Sequence, residues 1–174
     1  MSDEETTKEE KELDLSHPDV VTKYKLAAEI VNKALQVVIA ECKPGMKVVD
    51  LCEKGDSFIR EQTANVFKNA KKKIEKGVAF PTCISLNSVV CHFSPLASDE
   101  TRVSESDFVK MDLGCHIDGF IVVVAHTHVV QEGPVSGRAA DVLAAVNTAA
   151  EVALRLIRPG RKASHSFVLS VWEP

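Results

Sequence analysis

An α+β fold, with helices packed on one face of an antiparallel sheet, is what this sequence predicts. Three observations carry that expectation. Two stretches with apolar residues at helical spacing come before a run of β-branched residues. Two strand-like segments are separated by Asp118-Gly119 alone, and Asp-Gly is among the strongest two-residue hairpin signals. A third helical stripe follows the strands, so helices and strands come in blocks rather than in alternation.

The elements follow in order. Residues 1–14 lack apolar periodicity and read as a solvated, disordered acidic arm. Ser16-His17-Pro18-Asp19 reads as a helix start, with Ser16 as the cap and Pro18 tolerated in the first turn. Tyr24, Ala27, Ala28, Val31, Leu35, Val38 and Ile39 then recur at helical spacing as a core stripe, and Pro44-Gly45 stops the helix. A second helix carries Val48, Cys52, Phe58, Ile59, Gln62 and Val66. Gly55 inside it costs ~1 kcal/mol against Ala, which points to close packing as its reason.

Strand character begins at Val78-Ala79-Phe80 and continues from Cys83 to Phe93, with Pro81 and Asn87-Ser88 as interruptions. A polar loop from Pro95 to Asp107 leads to strands over Phe108 to Ile117 and Phe120 to Val130. The third helix runs from about Gly137 to Arg158. Its stripe is Ala139, Val142, Leu143, Val146, Ala150, Ala153, Leu154 and Ile157, and Pro159-Gly160 ends it. The expected organisation is the arm at 1–14, a body at 15–160, and a divergent tail at 161–174 that contains Trp172.

Composition narrows the function classes. The chain has 174 residues, 45% hydrophobic and 26% charged, which suits one globular body with its own core. No apolar run reaches ~18 residues, which excludes a transmembrane helix, and the polar start is unlike a secretory signal. Seven acids against two lysines give residues 1–14 a net −5, so the whole-chain −4 leaves the remainder at +1. A neutral body argues against a whole-surface nucleic-acid binder and leaves room for a local basic patch. Five cysteines, odd in number and without C-x-x-C, fit reduced thiols better than a disulfide framework or zinc ribbon.

The hairpin carries the chemistry. With Asp118-Gly119 as the loop, Ile117 faces Phe120, His116 faces Ile121, Asp112 faces Ala125 and Gly114 faces Val123. Val123 thus lies one diagonal step from Asp112 on the same face. An Asp at 123 would let two carboxylates share a hard divalent metal. Valine supplies no ligand and raises the desolvation cost of an ion nearby.

These residues fall into a familiar pattern. Ala79-Phe80-Pro81-Thr82, Asn87, His92-Phe93-Ser94-Pro95, Lys110 to Gly119 and Ala125-His126-Thr127 resemble the type-two methionine aminopeptidases, whose fold is the pita-bread fold. Val20 to Lys25, Leu51 to Asp56 and Cys91 to Leu96 are more similar to that family's non-peptidase branch, the proliferation-associated, ErbB-binding group. The resemblance covers roughly Asp14 to Lys162 and implies the first half of a pita-bread fold.

It also implies residue roles. Asp112 takes the position of the first metal-ligand Asp, and Val123 the position of the second, bridging Asp. His92 matches a histidine of the substrate pocket. The other ligands, a His and two Glu, come from the second half of that fold, so at most one of five is present. A metal-activated water needs several fixed ligands. No cofactor, no metal, no small-molecule substrate and no catalysis are therefore expected, and Asp112 and His92 read as a remnant pocket. The chain reads as a truncated product, with an exposed sheet edge as a partner-binding or aggregation hazard.

Other clusters have plainer readings. Lys68, Lys71, Lys72, Lys73 and Lys76, opposed by Glu75 alone, put +4 into nine residues. They read either as a grip on RNA phosphates or as a solvated loop between helix and strand. His126-x-His128 reads as two ordinary strand histidines sharing a face rather than a metal site, and Cys115-His116 point to opposite faces and cannot meet. The resembled branch is nucleolar and cytoplasmic, binds ribosomes and structured RNA, and regulates growth. The expectation is thus a non-catalytic interaction protein of cytoplasm and nucleus or nucleolus, with ribosome, structured RNA or regulatory proteins as partners and no membrane. The alternatives are a metal-dependent methionine aminopeptidase with an altered site, or an unstable chain without a function of its own.

Overall fold

The computed structural model describes residues 14–70, 73–160 and 162. The elements run α1 (Pro18–Glu41), α2 (Val48–Asn65), β1 (Lys76–Leu86), β2 (Phe108–Ile117), β3 (Phe120–Val129) and α3 (Gly137–Leu156). The expected acidic arm, all but Asp14, and the expected tail, all but Lys162, lie outside the described residues. The chain divides into two compact units, one ending at Val130 and one beginning at Gln131.

In the first unit, α1 and α2 pack on one face of an antiparallel sheet of order β1-β2-β3. Alternation along β2 decides which face is covered. Val109, Met111, Leu113, Cys115 and Ile117 point into the core with Val31, Val38, Leu51 and Ile59 from the helices. Ala27, Val31, Leu35 and Val38 are buried along α1, as their spacing predicts. The tip of the hairpin is tied to α1. Tyr24 meets Phe120 at a centroid distance of 5.3 Å, and Lys23 lies over the same ring while its Nζ donates to Asp118.

Gly55 has the packing role anticipated for it. A Cβ there would sit 2.8 Å from Thr82 Oγ1 and 3.1 Å from Leu113 Cδ2. The missing side chain lets α2 approach the sheet. Thr82 is held from the same helix, because Asp56 Oδ1 accepts from its N–H at 3.0 Å and its hydroxyl at 2.7 Å.

Three local expectations need correction. The α1 cap is His17 rather than Ser16, with its Nδ1 accepting from the Asp19 N–H; Ser16 is engaged by Asp14 instead. β1 passes through Pro81 unbroken, because the register shifts between Val78 and Phe80 and between Phe80 and Cys83 absorb the missing N–H. β1 ends at Leu86, since Asn87 turns the chain at φ 48°, and residues 89–93 are not strand. In the second unit, α3 spans almost the predicted range, and none of its residues is buried among the described residues.

Candidate functional site

β2 carries Asp112 between the core-facing Met111 and Leu113, so its side chain points to the face that α1 and α2 leave open. The hairpin register is the predicted one, with Asp112 opposite Ala125, Gly114 opposite Val123 and His116 opposite Ile121. On the other side Asp112 faces Cys83 of β1. Gly114 lets Phe80 lie across the sheet here, because a Cβ at 114 would overlap the Phe80 ring.

The segment after β1 folds back along that strand. The Ile84 N–H donates to the Phe93 carbonyl at 2.8 Å, and the Phe93 N–H donates to Ser85 Oγ at 3.2 Å. His92 adopts φ 61°, an uncommon conformation for a non-glycine residue. The result is a cleft of about 450 Å³ lined by Phe80, Pro81, Cys83, His92, Ser94, Asp112 and Val123. The structure thus brings His92, Asp112 and Val123 together. Phe80, Pro81, Cys83 and Ser94 complete the wall; none stood out as a site residue in the sequence, although Phe80 and Cys83 follow from strand pairing with Gly114 and Asp112.

The electrostatics of the cleft are lopsided. Asp112 Oδ1 is buried and has no hydrogen-bond partner. Burial first, and the Asp112 carboxylate second, push the Cys83 thiol up from its ordinary value. Behind it, burial and the neighbouring Asp56 push Cys52 up to about 12. Burial raises Cys42 and Cys115 to about 11. Four thiols are therefore both buried and protonated at neutral pH, whereas Cys91 is exposed. A disulfide-exchange reagent at pH 8 is expected to titrate one thiol rapidly in the native chain and the other four only on unfolding. A native stoichiometry of two or more would contradict this burial pattern.

The donor set does not fit a catalytic metal. One carboxylate lies among Val123, Ala125 and Gly114, and no group of three or more His, Cys, Asp or Glu among the described residues can hold a metal ion. The orphaned oxygen of Asp112 is one ligand, where a hard divalent ion takes ~6. His126 and His128 share the helix-covered face of β3, opposite Met111 and Val109, and do not line the cleft. Burial, with His126 nearby, lowers the His128 pKa. Its contribution to stability is present above the unfolded histidine value of ~6.5 and is lost as pH falls through the folded value. His128→Gln is expected to flatten the loss of urea resistance below that pH. An unchanged pH profile would assign the loss to other groups.

The basic segment is only partly described. Lys71 and Lys72 lie outside the described residues. Lys73 and Lys76 line a second depression of about 480 Å³ with Arg60, Thr63, Ala64, Ile74, Glu75 and His116, whereas Lys68 is exposed and does not line it. Lys76 Nζ donates to the Val66 carbonyl, and Arg60 pairs with Glu53. Arg60 and His116 were not foreseen here. The pairing of Gly77 with His116 at the end of the β2 ladder was the available signal.

Comparison with known proteins agrees with this architecture. Residues 22–168 match the model of metallopeptidase family M24. The chain is 75% identical over 164 residues to ERBB-3 binding protein 1 of Solanum tuberosum, covering 94% of this chain and 42% of that protein. It is 47% identical over 151 residues to Proliferation-associated protein A of Dictyostelium discoideum, covering 85% and 39%. The solved structure of a thermophilic Arx1 superposes with a TM-score of 0.74 at 32% identity, covering 87% of this chain and 44% of that one. The chain thus spans about two fifths of the length of these curated relatives. Its α+β architecture is part of a pita-bread fold, as the sequence led us to expect. With residues 22–168, more than half of the chain, matched by the family model, the chain belongs to metallopeptidase family M24.

Proposed function

We propose that this chain is a non-catalytic member of the family, an interaction protein that associates with ribosomes or structured RNA and takes part in the control of growth and proliferation. The observation that carries the non-catalytic part is the hairpin register. It sets Val123, not a second carboxylate, beside Asp112 in a cleft with a single acidic ligand. An aliphatic side chain there cannot share a metal, and without a metal no water is activated. The names of two relatives, a binding protein and a proliferation-associated protein, support the interaction and proliferation parts of the reading, and the run of lysines from Lys68 to Lys76 motivates the contact with RNA phosphates. The proposed contacts are Lys68, Lys71, Lys72, Lys73 and Lys76, and the proposed location is cytoplasm and nucleus or nucleolus. Regulatory proteins are the other class of partner.

Co-sedimentation with ribosomes at two salt concentrations tests the contact. Binding is expected to weaken with salt. Replacing Lys71, Lys72 and Lys73 with Gln should weaken it further and lower the salt slope by ~2–3. Binding indifferent to salt and to the substitutions would remove the phosphate contact from the reading.

The unpartnered Oδ1 of Asp112 favours one second reading, a methionine aminopeptidase with an altered metal site. Titration with Mn²⁺ or Co²⁺, alongside an assay for release of N-terminal Met from a short peptide, separates the two. Heat of saturable binding together with turnover would establish the second and sink the first.

A further inference from the structure

The depression between the end of α2 and the start of β1 is basic. Arg60, Lys73 and Lys76 line it against one acid, Glu75, with His116 beside them. Gly77 faces His116 across the ladder, and a Cβ there would meet nothing within 4 Å, so the imidazole stands next to open space. Arg60 pairs with Glu53, which does not line the depression, and Lys76 donates to the Val66 carbonyl, an uncharged acceptor. Among the described residues Lys73 and Lys76 have no carboxylate partner. Covering three cations with apolar surface is costly, so what lies over them is water or negative charge.

The chain carries such a charge close by. Residues 1–13 hold six acids, Asp3, Glu4, Glu5, Glu9, Glu10 and Glu12, against Lys8 and Lys11, a net of −4. They precede Asp14, whose carbonyl accepts from the His17 N–H at the start of α1. From Pro18 to Lys23 the helix rises only about 8 Å. Lys23 holds Asp118, and the Asp118 N–H donates at 2.6 Å to the carbonyl of Glu75, which lines the depression. The acidic segment therefore joins the body near that wall, and its thirteen residues reach about 45 Å when extended. Without apolar periodicity it has no hydrophobic face to bury, which leaves charge as its means of docking.

We propose that residues 1–13 dock across the basic depression and set their carboxylates against Arg60, Lys73 and Lys76. The tether is short, so the effective concentration is roughly millimolar, and a weak contact persists at low salt. One consequence rests on the RNA association proposed above. The acidic segment occupies cations that phosphates would reach, and so acts as a built-in competitor for them.

NMR of the full chain tests the docking. The first variant combines Asp3→Asn with Glu4→Gln, Glu5→Gln, Glu9→Gln, Glu10→Gln and Glu12→Gln. Against the unaltered chain it is expected to shift the amides of Ile74 to Gly77 and the ring resonances of His116 at low salt, and to leave the amides around Asp112 unmoved. In about 1 M NaCl, where the screening length is about 3 Å, these differences should vanish. Arg60 and Lys73 are exposed, so Arg60→Gln with Lys73→Gln should leave circular dichroism unchanged. In that background the six substitutions should be nearly silent, because both sets remove the same contact. No shift at low salt, shifts away from the depression, or equal shifts in the Arg60→Gln, Lys73→Gln background would overturn the proposal. A parallel titration follows a short RNA duplex by fluorescence anisotropy. The chain with the neutral segment is expected to bind it ~5-fold more tightly or better at low salt. Equal affinity of the two chains would overturn the competition. RNA bound by neither would sink the RNA reading alone, since the spectra decide the docking without it.

Discussion

Leu113→Ala is expected to lower the free energy of unfolding by about 3 kcal/mol, read as a fall in the urea midpoint with an unchanged slope. Leu113 is fully buried at the middle of the central strand, under both helices. Truncation removes its transfer energy and leaves a void bounded by the sheet and α2. The surroundings collapse poorly into that void, because Thr82, the nearest neighbour across Gly55, is held in place by Asp56. A loss below about 1 kcal/mol would mean that α2 can settle onto the sheet, and the packing argument around Gly55 would fail with it.

Gly55→Val is the second large effect, with an expected loss of about 2 kcal/mol by the same measurement. Replacing a helical glycine with valine gains only ~0.3–0.5 kcal/mol in propensity, so the sign depends on what the new atoms meet. A Cβ arrives 2.8 Å from Thr82 Oγ1, and that hydroxyl cannot turn aside without giving up its 2.7 Å bond to Asp56. Valine adds two further carbons to the clash. The two substitutions share a contact, so their effects should not add. Leu113→Ala relieves the 3.1 Å approach of Leu113 Cδ2 but leaves Thr82 in place. The double variant should therefore recover only part of the sum, whereas full additivity would mean that the contact is not shared.

The hairpin was legible because its rules are local. Asp118-Gly119 supplies two residues that both adopt positive φ, at 57° and 79°, and a two-residue loop of that kind leaves one register. From that register alone the placement of Asp112 beside Ala125, and of Val123 beside Gly114, could be read. β1 was less legible. A proline inside a run of strand residues argues for a break, and only the partner strand shows that two register shifts absorb it. The stripe on α3 shows the limit of periodicity. Spacing says which residues share a helical face, but whether that face is covered depends on tertiary packing, and none of those residues is buried among the described residues. In the cleft, Asp112, His92 and Val123 were visible as a pattern. The orphaned oxygen of Asp112 was not, since a missing hydrogen bond is a property of the folded surroundings.

The tie between Lys23 and Asp118 joins residues 95 positions apart. Such a contact forms late, because a long stretch of chain must be ordered before its ends meet. During synthesis α1 leaves the ribosome first, with the stripe of Val31, Leu35 and Val38 facing water. The strands that cover it follow about 80 residues later. At ~5–20 residues per second that interval lasts several seconds, so the nascent chain passes through a window in which α1 is open to chaperones and to other chains. Completion of the hairpin closes that window.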